Sequence, residues 1–159
     1  MKRAPRVSAA FHSPKMIDIS EKPIVRREAI AEGTIELRRS TMRLISEGKI
    51  EKGDPLQIAS IGGLQAVKST PSALMMCHPI PIESSSLEFF KTAESIRVRA
   101  TVLAYSKTGV EMESLYAVTT ALLNIWDVVK KYEKNDMGQY PETRIRDVHI
   151  LKKSKAGFY

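Results

Sequence analysis

Leu115, Val118, Leu122, Ile125 and Val129 recur at spacings of three and four residues. That period gathers them into one stripe of a helix running from Thr108-Gly109 to about Lys134. A helix with a single apolar stripe must lay it against another layer. Two alternating segments offer that layer. In Arg27–Leu37, the residues Ala29, Ala31, Gly33, Ile35 and Leu37 share one strand face. In Ile96–Tyr105 the apolar face is Ile96, Val98, Ala100, Val102 and Ala104, with Arg97, Arg99 and Thr101 opposite. Leu87–Lys91 precedes it as an antiparallel partner, joined through a turn near Ala93-Glu94-Ser95. Arg144–Lys152 reads as a final strand, beyond the Gly138 and Pro141 that end the helical region.

A second long helix is predicted over Pro55–Lys68. Asp54 is its capping candidate, and Pro55 sits where the first turn tolerates proline. It would bury Leu56, Ile58, Ala59, Leu64 and Val67. Gly62-Gly63 in its middle costs about 1 kcal/mol per glycine, which close packing against a neighbour would explain. A shorter helix over Met42–Glu47 has Ser40 and Thr41 as caps, Gly48 as its end, and Leu44 and Ile45 as its buried side. Pro71, Pro79 and Pro81 read as breaking the next stretch into loop. Without a clean alternation of strand and helix, the expected class is α+β, an antiparallel sheet with two long helices packed on one face.

The 159 residues fit one domain of common size, and 43% of them are hydrophobic, enough for a packed core. Residues 1–15 mix Lys, Arg, Pro, Ser and His without a signal-like apolar stretch, and read as a flexible basic arm before a domain spanning 16–159. No apolar run approaches the ~18 residues needed to cross a bilayer. Cys77 is the one cysteine, which excludes a disulfide framework and favours a reducing, cytoplasmic setting. No Cys/His pair has zinc spacing, so no metal site is expected. The formal net charge of +7 suggests an anionic partner: nucleic acid, anionic lipid or a polyphosphate metabolite.

Three segments carry chemistry. Lys52-Gly53-Asp54 stands ahead of a helix. Met76-Cys77-His78-Pro79-Ile80-Pro81 places a histidine in a proline-flanked loop. Thr108-Gly109-Val110-Glu111-Met112-Glu113-Ser114-Leu115 opens the striped helix, with Trp126-Asp127-Val128-Val129-Lys130 further along it. Taken singly, His78 reads as structural, the lysines as solvated, and Glu111 and Glu113 as partners of a helix dipole. Adjacent residues of an extended loop point apart, so Cys77 reads as a small buried residue rather than half of a Cys–His dyad. Asp127 and Lys130, three apart, share a helix face. Glu113 lies on nearly the same face, but roughly 21 Å away along the axis. If the helix is unbroken, one small-molecule site using both ends needs a second subunit.

In this order and at these distances, the segments resemble the cyclic pyranopterin monophosphate synthases, also called molybdenum-cofactor biosynthesis protein C. The resemblance runs from Met16-Ile17-Asp18-Ile19-Ser20 to about Lys155. It implies a ferredoxin-like α+β fold and a homohexamer of three dimers with active sites at the dimer interface. It implies a nucleotide-derived substrate, 3′,8-cyclo-7,8-dihydroguanosine triphosphate, rearranged to cyclic pyranopterin monophosphate with release of pyrophosphate. No cofactor is implied, although Mg2+ can accompany the triphosphate. The acid–base candidates it marks are Lys52, His78, Glu113, Asp127 and Lys130. Substrate contacts are implied for Arg27, Lys68, Cys77, His78, Glu111, Met112, Glu113 and Lys153, the cations among them facing the phosphates. The chain departs from the family in three places. Lys153-Ser154-Lys155-Ala156-Gly157-Phe158 replaces the usual Lys-Ser-Gly-Gly-Lys-Ser-Gly tail, Met75-Met76 replaces Pro-Leu, and Trp126–Lys130 replaces Tyr-Asp-Met-Cys-Lys.

Two other readings stand beside it. The altered tail allows a catalytically inactive relative. The charge and the basic arm allow a small nucleic-acid-binding module. The second leaves Glu111, Glu113 and Asp127 unexplained, because they would repel phosphate. It also lacks an alternating aromatic pair, since Phe89 and Phe90 are consecutive and face opposite sides of a strand. The principal reading therefore takes a small-molecule substrate, without nucleic acid or membrane as partner.

Overall fold

The computed structural model describes residues 13–156. Most of the expected basic arm, residues 1–12, lies outside them. The elements follow the order β1 (Val25–Glu36), α1 (Arg39–Ser46), α2 (Pro55–Ala73), β2 (Ser84–Lys91), β3 (Ser95–Ser106), α3 (Glu111–Glu133) and β4 (Arg144–Ala156). The strands pair antiparallel throughout in the order β2-β3-β1-β4. This is the βαββαβ arrangement of ferredoxin-like folds, as expected from the sequence.

The alternating faces behave as their period requires. Ala29, Ala31 and Ile35 of β1 are buried, as are Ile96, Val98, Ala100, Val102 and Ala104 of β3. Val118, Leu122, Ile125 and Val129 of α3 are fully buried against them. Leu115, at the end of the stripe, is only partly covered. On the other sheet face, arginines meet glutamates: Arg99 pairs with Glu32, and Arg144 and Arg146 with Glu36. Much of the positive charge there is neutralised locally.

Helices α2 and α3 approach closely at the glycine pair. A Cβ on Gly63 would collide with the Leu87 side chain and come within 3.2 Å of the Ala117 carbonyl oxygen; one on Gly62 would meet Asn124 Nδ2 at 2.6 Å. Close packing thus accounts for both glycines. Asp54 caps α2, its Oδ1 accepting from Leu56 N at 2.8 Å and Gln57 N at 3.4 Å.

Three local expectations are corrected. Helix α2 does not stop before Pro71 but continues to Ala73. Proline lacks the N–H that would reach Val67 O; Thr70 Oγ1 donates chiefly to Ala66 O at 3.0 Å, with Val67 O a longer second contact at 3.3 Å. In α1, Ser40 and Thr41 lie inside the first turn rather than at the cap. Arg38 holds the cap position without a side-chain bond, and Thr41 and Met42 are the buried residues, with Leu44 and Ile45 only packed alongside. Strand β4 runs past Lys152 to Ala156, because β1 offers partners as far as Arg26.

Two register shifts interrupt the β1–β4 ladder, between Ile30 and Ala31 and between Glu32 and Thr34. Each extra residue in β4 turns the following side chains to the other face. After the second shift met along β4, Lys153 lies opposite Ala29 and Lys155 opposite Arg27, on the helix-covered side. A buried carboxylate closes the far end of the fold. Glu133 is fully buried at the end of α3 and accepts from Arg38 N at 3.2 Å and from Thr143 Oγ1 at 2.6 Å. It ties the start of α1 and the approach to β4 to one point.

Candidate active site

The expected site residues fall into two groups at opposite ends of α3. The first begins with the loop between α1 and α2, which carries Lys52 over the C-terminal half of α3. Lys52 Nζ lies 2.8 Å from Asp127 Oδ2 and donates to the Asp127 carbonyl at 3.1 Å. Lys130 Nζ reaches the other carboxylate oxygen, Oδ1, at 2.7 Å. The shared helix face expected for Asp127 and Lys130 is thus realised as a contact. Hydrogen bonds from Lys130 and then Lys52 lower the Asp127 pKa to about 2. The bond to Asp127 raises that of Lys130. At neutral pH this group is a carboxylate held between two ammonium ions, with one net positive charge.

The second group surrounds the start of α3. Two adjoining clefts share Gly109 and Glu111. One, of ≈300 Å³, is lined by Met76, Cys77, His78, Ile80, Thr108, Met112 and Glu113 besides those two. The other, of ≈250 Å³, adds Arg27, Glu28, Lys153, Ser154 and Lys155. Helix α3 begins at Glu111, two residues after Gly109, with Val110 at the cap position and no side-chain cap.

Glu111 and Glu113 differ sharply in state. Burial pushes the Glu111 carboxyl up, but the hydrogen bond from Lys153, its own backbone N–H and the nearby Arg27 outweigh this, leaving its pKa below the ordinary value. Lys153 Nζ sits 2.8 Å from Glu111 Oε1. Glu113 is 2% exposed, and its Oε2 is buried without a hydrogen-bond partner among the described residues. Burial raises its pKa, its own backbone N–H partly offsets this, and Glu111 adds to the rise. One cleft therefore presents a carboxylate of lowered pKa beside one of raised pKa. Cys77 is half-buried rather than buried, and burial with the negative Glu113 raises its thiol pKa. That is the opposite of what a thiolate nucleophile needs.

Arg27 is oriented by the end of β3, donating to Ser106 O at 3.4 Å and Lys107 O at 3.3 Å. Lys68 is exposed on α2 and belongs to neither lined cleft. Among the described residues, no group of three or more His, Cys, Asp or Glu is gathered as a metal would require. No described helix is long and apolar enough to cross a membrane. Sequence reasoning missed Thr108, Gly109 and Ile80 as lining residues. The first two stand inside the Thr-Gly-Val-Glu-Met-Glu motif, which was the available signal.

The two groups do not meet within one chain. Helix α3 is unbroken from Glu111 to Glu133, so its rise keeps Glu113 and Asp127 about 21 Å apart.

Fold and site define a βαββαβ protein with paired acid–base groups and clustered cations suited to a small polyanion. The comparisons give this class its family. The MoaC family model matches residues 16–156, and the chain belongs to that family. A probable cyclic pyranopterin monophosphate synthase of Sulfurisphaera tokodaii is 50% identical over 89% of this chain and 93% of its own length. One of Pyrococcus horikoshii is 52% identical over 89% of each. A relative of Methanothermobacter thermautotrophicus, 49% identical over 89% of each, is named a probable cyclic pyranopterin monophosphate synthase accessory protein.

Proposed function

We propose that this chain is a cyclic pyranopterin monophosphate synthase of molybdenum-cofactor biosynthesis, a lyase. It would convert 3′,8-cyclo-7,8-dihydroguanosine triphosphate to cyclic pyranopterin monophosphate and pyrophosphate. What carries the reading is the sorting of charge along α3. Lys52 and Lys130 flank an ionised Asp127 at one end, and a protonation-prone Glu113 lies beside the Arg27–Glu111–Lys153 cluster at the other.

The chemistry follows from those states. Rearranging C–N and C–O bonds requires protons to be delivered and removed. Lys130, its pKa raised by Asp127, carries a proton at neutral pH, Asp127 is ionised, and Glu113 holds a proton more readily than an exposed carboxyl. Release of pyrophosphate puts charge on its oxygens, which cations stabilise. Lys153 and Lys155 would supply them from the edge strand β4 and Arg27 from the neighbouring β1, and Lys68 would approach from α2. The reading needs no resident metal; Mg2+ would arrive on the triphosphate.

The separation along α3 supports a composite site. Asp127 and Lys130 of one protomer would face His78, Glu111 and Glu113 of its partner, in a two-fold dimer. A hexamer of three such dimers, working in the cytoplasm as a single synthase domain, is the assembly we propose. A second reading, a non-catalytic member, is favoured by the altered tail.

The test supplies guanosine triphosphate to the radical enzyme acting upstream, adds this protein, and follows both products. Cyclic pyranopterin monophosphate and pyrophosphate formed together, and lost in Lys52→Ala or Lys130→Ala proteins that still assemble, support the synthase. No product from a well-folded oligomer would overturn it in favour of the non-catalytic reading.

A further inference from the structure

Lys52 stands in a loop of mostly exposed residues, and its side chain has four rotatable bonds. Holding its Nζ 2.8 Å from Asp127 Oδ2 costs rotamer freedom, and a backbone fixed beneath the side chain limits what else must be ordered. Within the loop, Ile50 is buried in the core two residues before Lys52. Gly53 N donates to Ile50 O at 3.1 Å, closing a turn with Gly53 at φ +106°.

The geometry points to Tyr132 as a positioning residue for Lys52. Its phenolic oxygen accepts the Glu51 N–H at 3.1 Å. The bonded amide belongs to the residue immediately before Lys52, so the phenol anchors the backbone that aims the ammonium group at Asp127. Tyr132 is itself set by the core, against which its ring packs. A second tether from α3, the Lys131–Glu51 ion pair, has both side chains more than half exposed. Exposed pairs of this kind contribute little, so the phenol adds to the buried Ile50 the second hold on this backbone, at the residue next to Lys52. Nothing in the three chemical segments of the sequence marks Tyr132, which lines neither site cleft and would act through Lys52.

The catalytic part of this inference rests on the synthase reading; the structural part does not. Asp127 therefore serves as the reporter. It is faced by Lys52 from the loop and by Lys130 from its own helix, with Tyr140 close to Lys130. In Tyr132→Phe the loop loses its anchor and Lys52 leaves the carboxylate more often. The Asp127 pKa, followed by NMR titration of its carboxyl, is expected to rise from about 2 part of the way toward the ordinary carboxylate range, with Lys130 still holding it down. Lys131→Gln should leave that titration unchanged. With melting temperature and assembly retained, turnover of Tyr132→Phe should fall about ten- to a hundredfold through kcat with KM little changed, as expected for a misplaced group. A wild-type Asp127 titration in Tyr132→Phe overturns the proposal whether or not the protein turns over. If the titration moves while no form of the protein makes product, the synthase reading fails and the positioning of Lys52 stands.

Discussion

Lys153 Nζ, on the last strand, lies 2.8 Å from Glu111 Oε1 in the first turn of α3. The contact places the terminal strand's lysine in the second cleft, against the carboxylate that both clefts share. Glu111 keeps its charge there because Lys153, its own N–H and Arg27 outweigh burial. A carboxylate with a depressed pKa adds stability above its unfolded value, and that contribution fades as pH falls through the folded one.

Replacing Lys153 with Gln should therefore raise the Glu111 pKa, seen by carboxyl NMR. It should also weaken substrate binding. Loss of one charge-assisted contact to phosphate, worth about 1.5–3 kcal/mol, corresponds to roughly a ten- to hundredfold rise in KM. A KM within twofold of wild type would show that the lysine faces Glu111 alone.

Asp127 gives the clearest pH dependence. Its folded pKa of about 2 lies below the ordinary value of 3.8. Its ion pairs are thus intact at neutral pH and are lost as pH falls from about 4 through 2. Lys130→Gln should raise this pKa more than Lys52→Gln, since the Lys130 bond contributes most. Titration of the Asp127 carboxyl in both variants checks the order.

A composite site makes a prediction about mixtures. Lys130→Ala and Glu113→Gln proteins, each inactive alone, should regain activity when unfolded together and reassembled. In mixed two-fold dimers one site carries both defects and the other neither, so about one quarter of wild-type activity should return. Recovery of none would overturn the composite site.

Gly63→Ala should destabilise more than Gly62→Ala. At Gly63 the added methyl meets Leu87 and the Ala117 backbone carbonyl, whereas at Gly62 it meets the end of the Asn124 side chain. Overpacking a rigid helix contact costs about 1–3 kcal/mol, while alanine recovers about 1 kcal/mol of helix propensity at either position. Denaturant midpoints should fall clearly for Gly63→Ala and little for Gly62→Ala.

The elements were legible where a period repeats over many residues. The β1 and β3 faces and the α3 stripe could be read because burial on one side of a strand or helix imposes spacings of two or of three and four. The chemical segments could be read as types and spacings, and the contact between Asp127 and Lys130 follows from their separation of three. The end of α2 was not legible. Whether Pro71 stops a helix depends on the packing around it, and here α2 runs on to Ala73 with Thr70 Oγ1 bonded chiefly to Ala66 O and 3.3 Å from the freed Val67 carbonyl.

The sequence by itself thus determined the α+β class, the buried faces and the separation of Glu113 from Asp127, because these depend on local geometry alone. The tertiary structure decided which charges meet. Lys153 reaches Glu111 only because extra residues in β4 reset its alternation against β1. Lys52 reaches Asp127 only because the loop between α1 and α2 is laid on α3, seventy-five residues further along the chain. Such contacts arise from the packing of whole elements, and no periodicity within a segment encodes them.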